Sequence, residues 1–316
     1  MLLINEEEVR QLLPMNECVE VIDKLFRDAA DGTVSNMPRY RIPLPHGAHQ
    51  VMAGMSESLG VTGLKTYATG SKGSGQMVVL LISLEDGQPF AFLTANALGQ
   101  IRTGAASGVA TRYMARDDAT SVGMIGSGFQ ARSQLAAVCA VRPVNKVKVY
   151  SRTPENRERF AHEMSEKLGI TATAVETADN AADADIVCVI TNSREPVLKG
   201  DALRPGTHVN AAGSNGWIRR EVDEETVRRS ALVVSDDIAD AKIESGDLIW
   251  AAERRKFRWE TAVELKDVVG GRVKGRPSAD AITLFESQGL AIEDVAAGMH
   301  IYRKAIEQGL GRQVEI

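Results

Sequence analysis

The sequence predicts an α/β protein in which a doubly wound parallel sheet is joined to a smaller, strand-rich α+β domain. Three observations carry this expectation. Five strand-like runs crowd residues 38–93, the texture changes near residue 117, and apolar runs of strand length then alternate with helix-length segments. A chain of 316 residues has room for two domains at the usual ~100–200 residues each.

The elements follow in order. Residues 15–30 carry Val19, Ile22, Leu25, Phe26 and Ala29 at three-and-four spacing, an amphipathic helix stopped at Gly32. Residues 38–43, 50–55, 61–67, 77–84 and 89–93 read as short strands, and Asp86-Gly87 between the last two reads as a hairpin turn. Residues 94–115 read as a helix rich in Gly99, Gly104, Ala105, Ala106, Gly108 and Ala110. Glycine costs helix stability, so three in one helix point to close packing against another backbone. Beyond Arg116-Asp117-Asp118, residues 122–125, 146–150, 186–190, 208–212 and 232–235 read as strands. Residues 130–141, 154–168 and 221–230 read as intervening helices, the pattern of βαβ units and a parallel sheet covered on both faces. Residues 292–308 read as a helix that returns to the first domain.

Bulk properties exclude several classes. Lys and Arg number 37 against 42 Asp and Glu, a net charge of −5 without a basic block, unsuited to nucleic acid or an anionic membrane. Apolar runs such as 78–82 fall far short of the ~20 residues that cross a bilayer. The first residues turn acidic at once, unlike a signal peptide, so a soluble cytoplasmic protein is expected. Cys18, Cys139 and Cys188 lack CxxC spacing and read as buried small hydrophobes. His46, His49, His162, His208 and His300 show no metal-ligand spacing, so no metal is expected. Asp236-Asp237 and Glu224-Glu225 read as charges at helix N-termini, and no Gly-x-Ser-x-Gly elbow is present.

The most informative stretch is Gly126-Ser127-Gly128-Phe129-Gln130-Ala131, which follows a strand and opens a helix. Gly126 permits the tight turn, Gly128 lets backbone approach a pyrophosphate, and Ala131 still allows close helix–strand packing. This predicts a Rossmann-type dinucleotide site with phosphates on the free amides of the helix N-terminus. An NAD site usually places Asp or Glu at the end of the second strand, ~20 residues on. Here that strand ends in Ser151-Arg152-Thr153, and the first acid, Glu155, lies in the next helix. Two hydroxyls and a guanidinium suit a 2′-phosphate, so NADP(H) is favoured, with NAD(H) possible.

The order of elements, with Gly63-Leu64-Lys65, Gln100-Ile101-Arg102-Thr103-Gly104-Ala105, the glycine loop and Pro205-Gly206-Thr207-His208-Val209-Asn210-Ala211-Ala212-Gly213, resembles the ornithine cyclodeaminase / μ-crystallin family. Glu244-Ser245-Gly246-Asp247, Thr283-Leu284-Phe285-Glu286-Ser287 and Gln288-Gly289-Leu290-Ala291-Ile292-Glu293-Asp294 extend the resemblance over almost the whole chain. It implies a homodimer that binds NAD(P) and acts on small α-amino or α-imino acids. It also implies a substrate-binding and dimerisation domain over 1–116 and 292–316, and a dinucleotide-binding domain over 117–291. Cofactor contacts are carried over to Arg102, Thr103, Gly126, Ser127, Gly128, Phe129, Gln130, Ser151, Arg152, Thr153, Thr191, Ala212, Gly213, Ser214, Asn215, Arg219, Ser287 and Gly289.

The resemblance maps the substrate-carboxylate group onto Arg39, Lys65 and Arg102, with Arg41 as the alternative to Arg39. A guanidinium holds a carboxylate in a bidentate fork and a lysine adds charge. Arg102 also lies in a helix dense with small residues, an odd place for a solvated arginine. Cyclodeaminases and related alanine dehydrogenases carry an aspartate where this chain has Asn215, and an amide cannot act as a general base. Asn215 can hydrogen-bond an imine or the cofactor, and Lys65, near two arginines, becomes the expected proton donor. The expectation is an NAD(P)H-dependent reductase of a small α-imino acid, reversible as an amino-acid dehydrogenase. The alternatives are an ornithine-type cyclodeaminase with bound NAD or a non-enzymatic NADPH-binding protein. Arg41, His46 and His49 near Arg39 raise the further option of a second carboxylate on the substrate.

Overall fold

The computed structural model describes residues 1–70 and 73–315, and they form two compact units: Met1–Arg102 with Gly289–Ile316, and Thr103–Gln288. The division falls inside the small-residue helix Asn96–Met114, whereas the sequence placed the change of texture at the end of that helix.

The first unit is built on a sheet of nine strands among the described residues. Its main path runs Arg312–Gln313, Leu2–Ile4, Pro89–Thr94, Val78–Ser83, Val61–Gly70, Gly47–Ser56 and Val34–Asn36. All the expected strands of this region form, with ends displaced by a few residues; the run 38–43 becomes Tyr40–Leu44. Gly87 takes φ +72° in the hairpin that joins Val78–Ser83 to Pro89–Thr94. Strands Gly47–Ser56 and Val61–Gly70 alternate buried and half-buried positions, as expected of a sheet covered on one face. Helix Ala291–Gln308 covers that face, and helix Met15–Ala30 packs on it. The seat is tight: a Cβ on Gly63 would lie 2.7 Å from the Leu80 carbonyl oxygen and 3.0 Å from Val295, and one on Gly54 3.1 Å from the Ile292 nitrogen.

The second unit holds eight parallel strands in the order Thr171–Ala174, Lys146–Tyr150, Ser121–Ile125, Ile186–Val189, His208–Ala211, Ile282–Glu286, Ser230–Ser235 and Val263–Glu264. The order reverses between Ser121–Ile125 and Ile186–Val189, the switch point where open α/β sheets bind ligands beyond the strand C-termini. Sequence reading missed three of these strands. Thr171–Ala174 is a short edge strand without an apolar run, and Val263–Glu264 has two residues. Ile282–Glu286 is buried along its whole length in the sheet interior, where its glutamate disguised the apolar run.

The small-residue helix packs closely, as its glycines predicted. A Cβ on Gly104 would collide with the backbone carbonyl of Ser133 in helix Ala131–Val141. Asp237 caps helix Ile238–Glu244, and Glu224 and Glu225 lie in the first turn of Glu224–Arg229, both as expected. Asp236 departs from that reading: it is buried and accepts from Gln288 N at 2.7 Å and Ser287 Oγ at 3.2 Å. We expect Gly104→Val to destabilise the protein by about 1–3 kcal/mol through overpacking at the helix crossing. Thermal melting would show this as a Tm lowered by several degrees, and an unchanged Tm would contradict the crossing geometry.

Candidate functional site

In the second unit, strand Ser121–Ile125 runs into Gly126, whose φ of +115° lies in the left-handed region open to glycine. Its N–H donates to Tyr150 O at 2.8 Å, and a Cβ there would collide with the Ile190 carbonyl. Gly128 differs: a Cβ there would meet nothing within 4 Å, so this backbone stands open. Phe129 is exposed, and Gln130 precedes helix Ala131–Val141 without making a side-chain cap. No side chain occupies this end, although the Ala131 and Ser133 amides turn back to the Gly128 and Gln130 carbonyls at 3.2 and 3.1 Å, and the positive end of the helix dipole favours an anion such as a pyrophosphate. Ser127 Oγ donates to Ser151 Oγ at 2.9 Å, tying the loop to the end of the next strand. Beyond it Arg152 and Thr153 are exposed, while Arg157 donates to Ser151 O at 3.0 Å and lies over the Tyr150 ring. An open glycine, a helix N-terminus without a side-chain cap and an exposed hydroxyl–guanidinium edge all fit a dinucleotide.

The other cofactor positions named from sequence sit at the ends of neighbouring strands, and a buried carboxylate links three of them. Glu221 accepts from the Thr191 and Gly213 amides, one from each of two adjacent loops, and the Ser214 amide adds to the same field. Burial pushes its carboxyl up to about 7, against the pull of these donors. Asp247 in turn accepts from Glu221 N at 2.7 Å and Val222 N at 3.0 Å. Burial holds the carboxyls of Asp247 and Glu286 well above the usual range, with Glu221 repelling Asp247 and Asp247 repelling Glu286. Ser214 Oγ donates to Arg219 O at 2.7 Å, closing a turn on which Asn215 is exposed. Ala212 follows strand His208–Ala211, Thr103 O accepts from Gln134 Nε2 at 3.2 Å, and Ser287 is held by Asp236.

Protonating Glu221 would put a hydroxyl on one of the two oxygens that now accept from the Thr191 and Gly213 amides, so we expect its hold on one of the two loops to weaken as pH falls. Its folded-state value of about 7 exceeds the ordinary 4.5. The folded state therefore binds the proton more tightly, and this group's contribution to stability falls as pH rises between those values. We expect Glu221→Gln, whose amide nitrogen cannot accept, to raise the dinucleotide Kd roughly 10-fold. It should also flatten the pH dependence of binding between pH 6 and 8, read by fluorescence titration (flattening without weaker binding would refute the bridge).

In the first unit the three basic residues named for a carboxylate come together. Lys65, on strand Val61–Gly70, and Arg102, on helix Asn96–Met114, are 3% and 4% exposed. Lys65 Nζ donates to Asp294 Oδ1 at 2.9 Å, and Arg102 Nε donates to the same oxygen at 3.1 Å. Arg102 Nη1 donates to Glu293 Oε2 at 2.6 Å, so neither bond uses Nη2. Arg39 lies across from Met52, with Nε 3.4 Å from its sulfur and Nη2 3.2 Å from Gly289 O. Gly289 takes φ +78°, and a Cβ there would lie 2.7 Å from Arg102 Nη1. Gly99 makes room in the same way, since its Cβ would stand 2.9 Å from Lys65 Nζ. The lysine pKa is lowered to about 8, first by burial, with Arg102 and Arg39 adding to the shift and Asp294 opposing it. Sequence reasoning had named the arginines; burial matters more.

Register separates Arg41 from the histidines. Tyr40–Leu44 pairs antiparallel with Gly47–Ser56, setting Arg41 opposite Gln50, while Met52 pairs with Lys65. Side chains alternate, so Arg41, Gln50, Met52 and Lys65 share one sheet face. His49 points to the other face and hydrogen-bonds Thr66 at 2.6 Å, and His46 is exposed, so no cluster of Arg39, Arg41, His46 and His49 forms. Sequence reading missed Glu293, Asp294, Glu221 and Gln50 as site residues. The available signal was local: Glu293-Asp294 stand among Ala291, Ile292, Val295, Ala296, Ala297 and Gly298, so that turn has no solvated side.

The model of the ornithine cyclodeaminase/mu-crystallin family matches residues 1–309. A Δ1-pyrroline-2-carboxylate reductase of Bacillus cereus is 34% identical over 328 aligned positions, covering 100% of both chains. The structure of Thermococcus litoralis Δ1-pyrroline-2-carboxylate reductase in complex with NADH and L-proline superposes with a TM-score of 0.95 at 38% identity, covering 99% of this chain and 100% of that one. An archaeal alanine dehydrogenase dimer with bound NAD gives 0.94 at 30% identity over 100% of this chain and 99% of that one. The family model over residues 1–309 and relatives matched along their whole length show that this chain belongs to the ornithine cyclodeaminase/mu-crystallin family.

Proposed function

We propose that this protein is an NAD(P)H-dependent reductase that converts a small α-imino acid, such as a cyclic ketimine carboxylate, to the α-amino acid. The observation that carries the reading is the grouping of half-buried Arg39 with buried Lys65 and Arg102, in which the lysine's pKa is lowered to about 8. In this reading Arg102 Nη2 and Arg39 hold the substrate carboxylate, and remote binding of that kind aligns the C=N carbon. Gly126–Ala131 and the Thr191 and Gly213 loops would hold the dinucleotide, which when bound would supply the hydride that the reduction needs. Lys65, an ammonium below about pH 8, supplies the proton that the nitrogen needs as C=N becomes CH–NH. Asn215 serves as a hydrogen-bonding group and not as a base.

That last point separates this reading from a cyclodeaminase, which needs a base for the attacking amine and gives no net redox change. Purified protein with NADPH or NADH should lose absorbance at 340 nm on addition of Δ1-pyrroline-2-carboxylate, mole for mole with proline formed. No ammonia should appear from ornithine. Absence of cofactor oxidation with that imine, with pyruvate plus amines, and with oxaloacetate plus ammonia would end the proposal. Arg102→Lys keeps the charge but loses the fork, so substrate KM should rise ~10–100-fold while cofactor affinity changes little.

The cofactor is proposed to be NADP(H) in preference to NAD(H), supported by exposed Arg152 and Thr153 and the half-buried Ser151 where an acidic residue would otherwise stand. Arg152→Ala should raise the KM for NADPH and leave that for NADH nearly unchanged; a lower KM for NADH in the wild type would reverse the assignment. A homodimer is proposed through the sheet face carrying Tyr40, Ile42 and Leu44, which is exposed and apolar. Ile42→Glu should then convert a dimer to a monomer in light scattering.

A further inference from the structure

We propose that Asp294 is the positioning residue that keeps Lys65 charged despite its burial and locks it in register with Arg102. The inference rests on the reductase reading for its role, but its geometry is independent of that reading. One oxygen, Asp294 Oδ1, accepts from Lys65 Nζ at 2.9 Å and from Arg102 Nε at 3.1 Å. All three side chains are at least nine-tenths buried, with Asp294 at 0% exposure. A single atom thus fixes the spacing between the proton donor and the carboxylate anchor.

The groups around Lys65 oppose its charge. Arg102 and Arg39 repel it, burial strips its water, and the Tyr67 ring 5.9 Å away returns little. Glu293 faces Arg102 through its own 2.6 Å bond. Cys18, on helix Met15–Ala30, lies near the same acids, and burial keeps its thiol neutral by raising its pKa. Among the described residues, Asp294 is the carboxylate that bonds the ammonium.

Its own charge is supported by position. Asp294 lies in the first turn of helix Ala291–Gln308, where the helix dipole favours an anion. Glu293 beside it also accepts from Leu290 N, at 3.3 Å. The helix is seated on Gly54 and Gly63, so the height of the carboxylate above the sheet follows from two missing side chains. Asp294 Oδ2 makes no hydrogen bond among the described residues and is buried. The carboxylate is held by its two cations alone, so removing its charge changes Lys65 directly.

The test reads Lys65 itself. In protein labelled with 15N at the lysine ε-position, with Lys65→Arg identifying the resonance, Lys65 should titrate near pH 8 in the wild type. Asp294→Asn keeps an acceptor oxygen and the size, and should move the titration acid-ward by about one pH unit or more. Glu293→Gln, which touches Arg102 and not Lys65, should leave it in place. The basic limb of kcat/KM for imine reduction should follow the same pattern. An Asp294→Asn protein in which Lys65 titrates as in the wild type overturns the proposal. Should that variant fail to fold in circular dichroism, Asp294→Glu decides: the titration stays while substrate KM rises about 10-fold, and a titration that moved with the charge retained would overturn it. Failure of the reductase reading shows separately, as an unreactive wild type whose Lys65 still responds to Asp294.

Discussion

The chemistry of the first unit depends on burying two cations and two anions together. Lys65, Arg102, Glu293 and Asp294 come from a strand and two helices, and each is almost wholly shielded from water. A lone charge in such a place would be expelled or neutralised, and breaking one buried pair typically costs about 3–5 kcal/mol. The network survives because every cation has an oxygen within 3.1 Å and both acids lie at a helix N-terminus. In the proposed reading, what it provides is less stability than poise: cations that would meet a substrate carboxylate, among them a lysine whose pKa burial lowers to about 8.

The second unit solves a different problem with related means. Its parallel strands end in loops whose amides must be held at fixed positions without closing the space a dinucleotide would take. Gly126 bends the chain sharply and Gly128 keeps its surroundings open. Glu221 gathers two further loops from inside, through the backbone amides of Thr191 and Gly213. A buried carboxylate does here what strand pairing cannot do beyond the ends of a sheet, and its raised pKa is the consequence of that location.

Much of this was legible before any coordinates. The helix at Met15–Ala30, the hairpin at Gly87 and the strand–loop–helix unit at Gly126 each announce themselves within a dozen residues, through periodicity or a glycine that only one turn explains. Lys65 and Arg102 were recognisable from a resemblance spanning the chain. The acids that hold them were harder to see, because Glu293 and Asp294 resemble ordinary charges at a helix start and only the apolar residues on every side of them signal burial. Likewise nothing near Glu221 in sequence reveals that it reaches the loop at Thr191, and Arg41, His46 and His49 look clustered until strand register divides them.

The sequence by itself determined the order of elements, the parallel sheet, the dinucleotide bend and the identity of the cations, because these rest on short-range backbone preferences and on side-chain chemistry. Tertiary structure alone decided which carboxylates meet which cations, how far Lys65 departs from an ordinary lysine and which face each strand residue occupies. Those properties depend on dielectric and distance, and burial brings Lys65 against an aspartate 229 positions away.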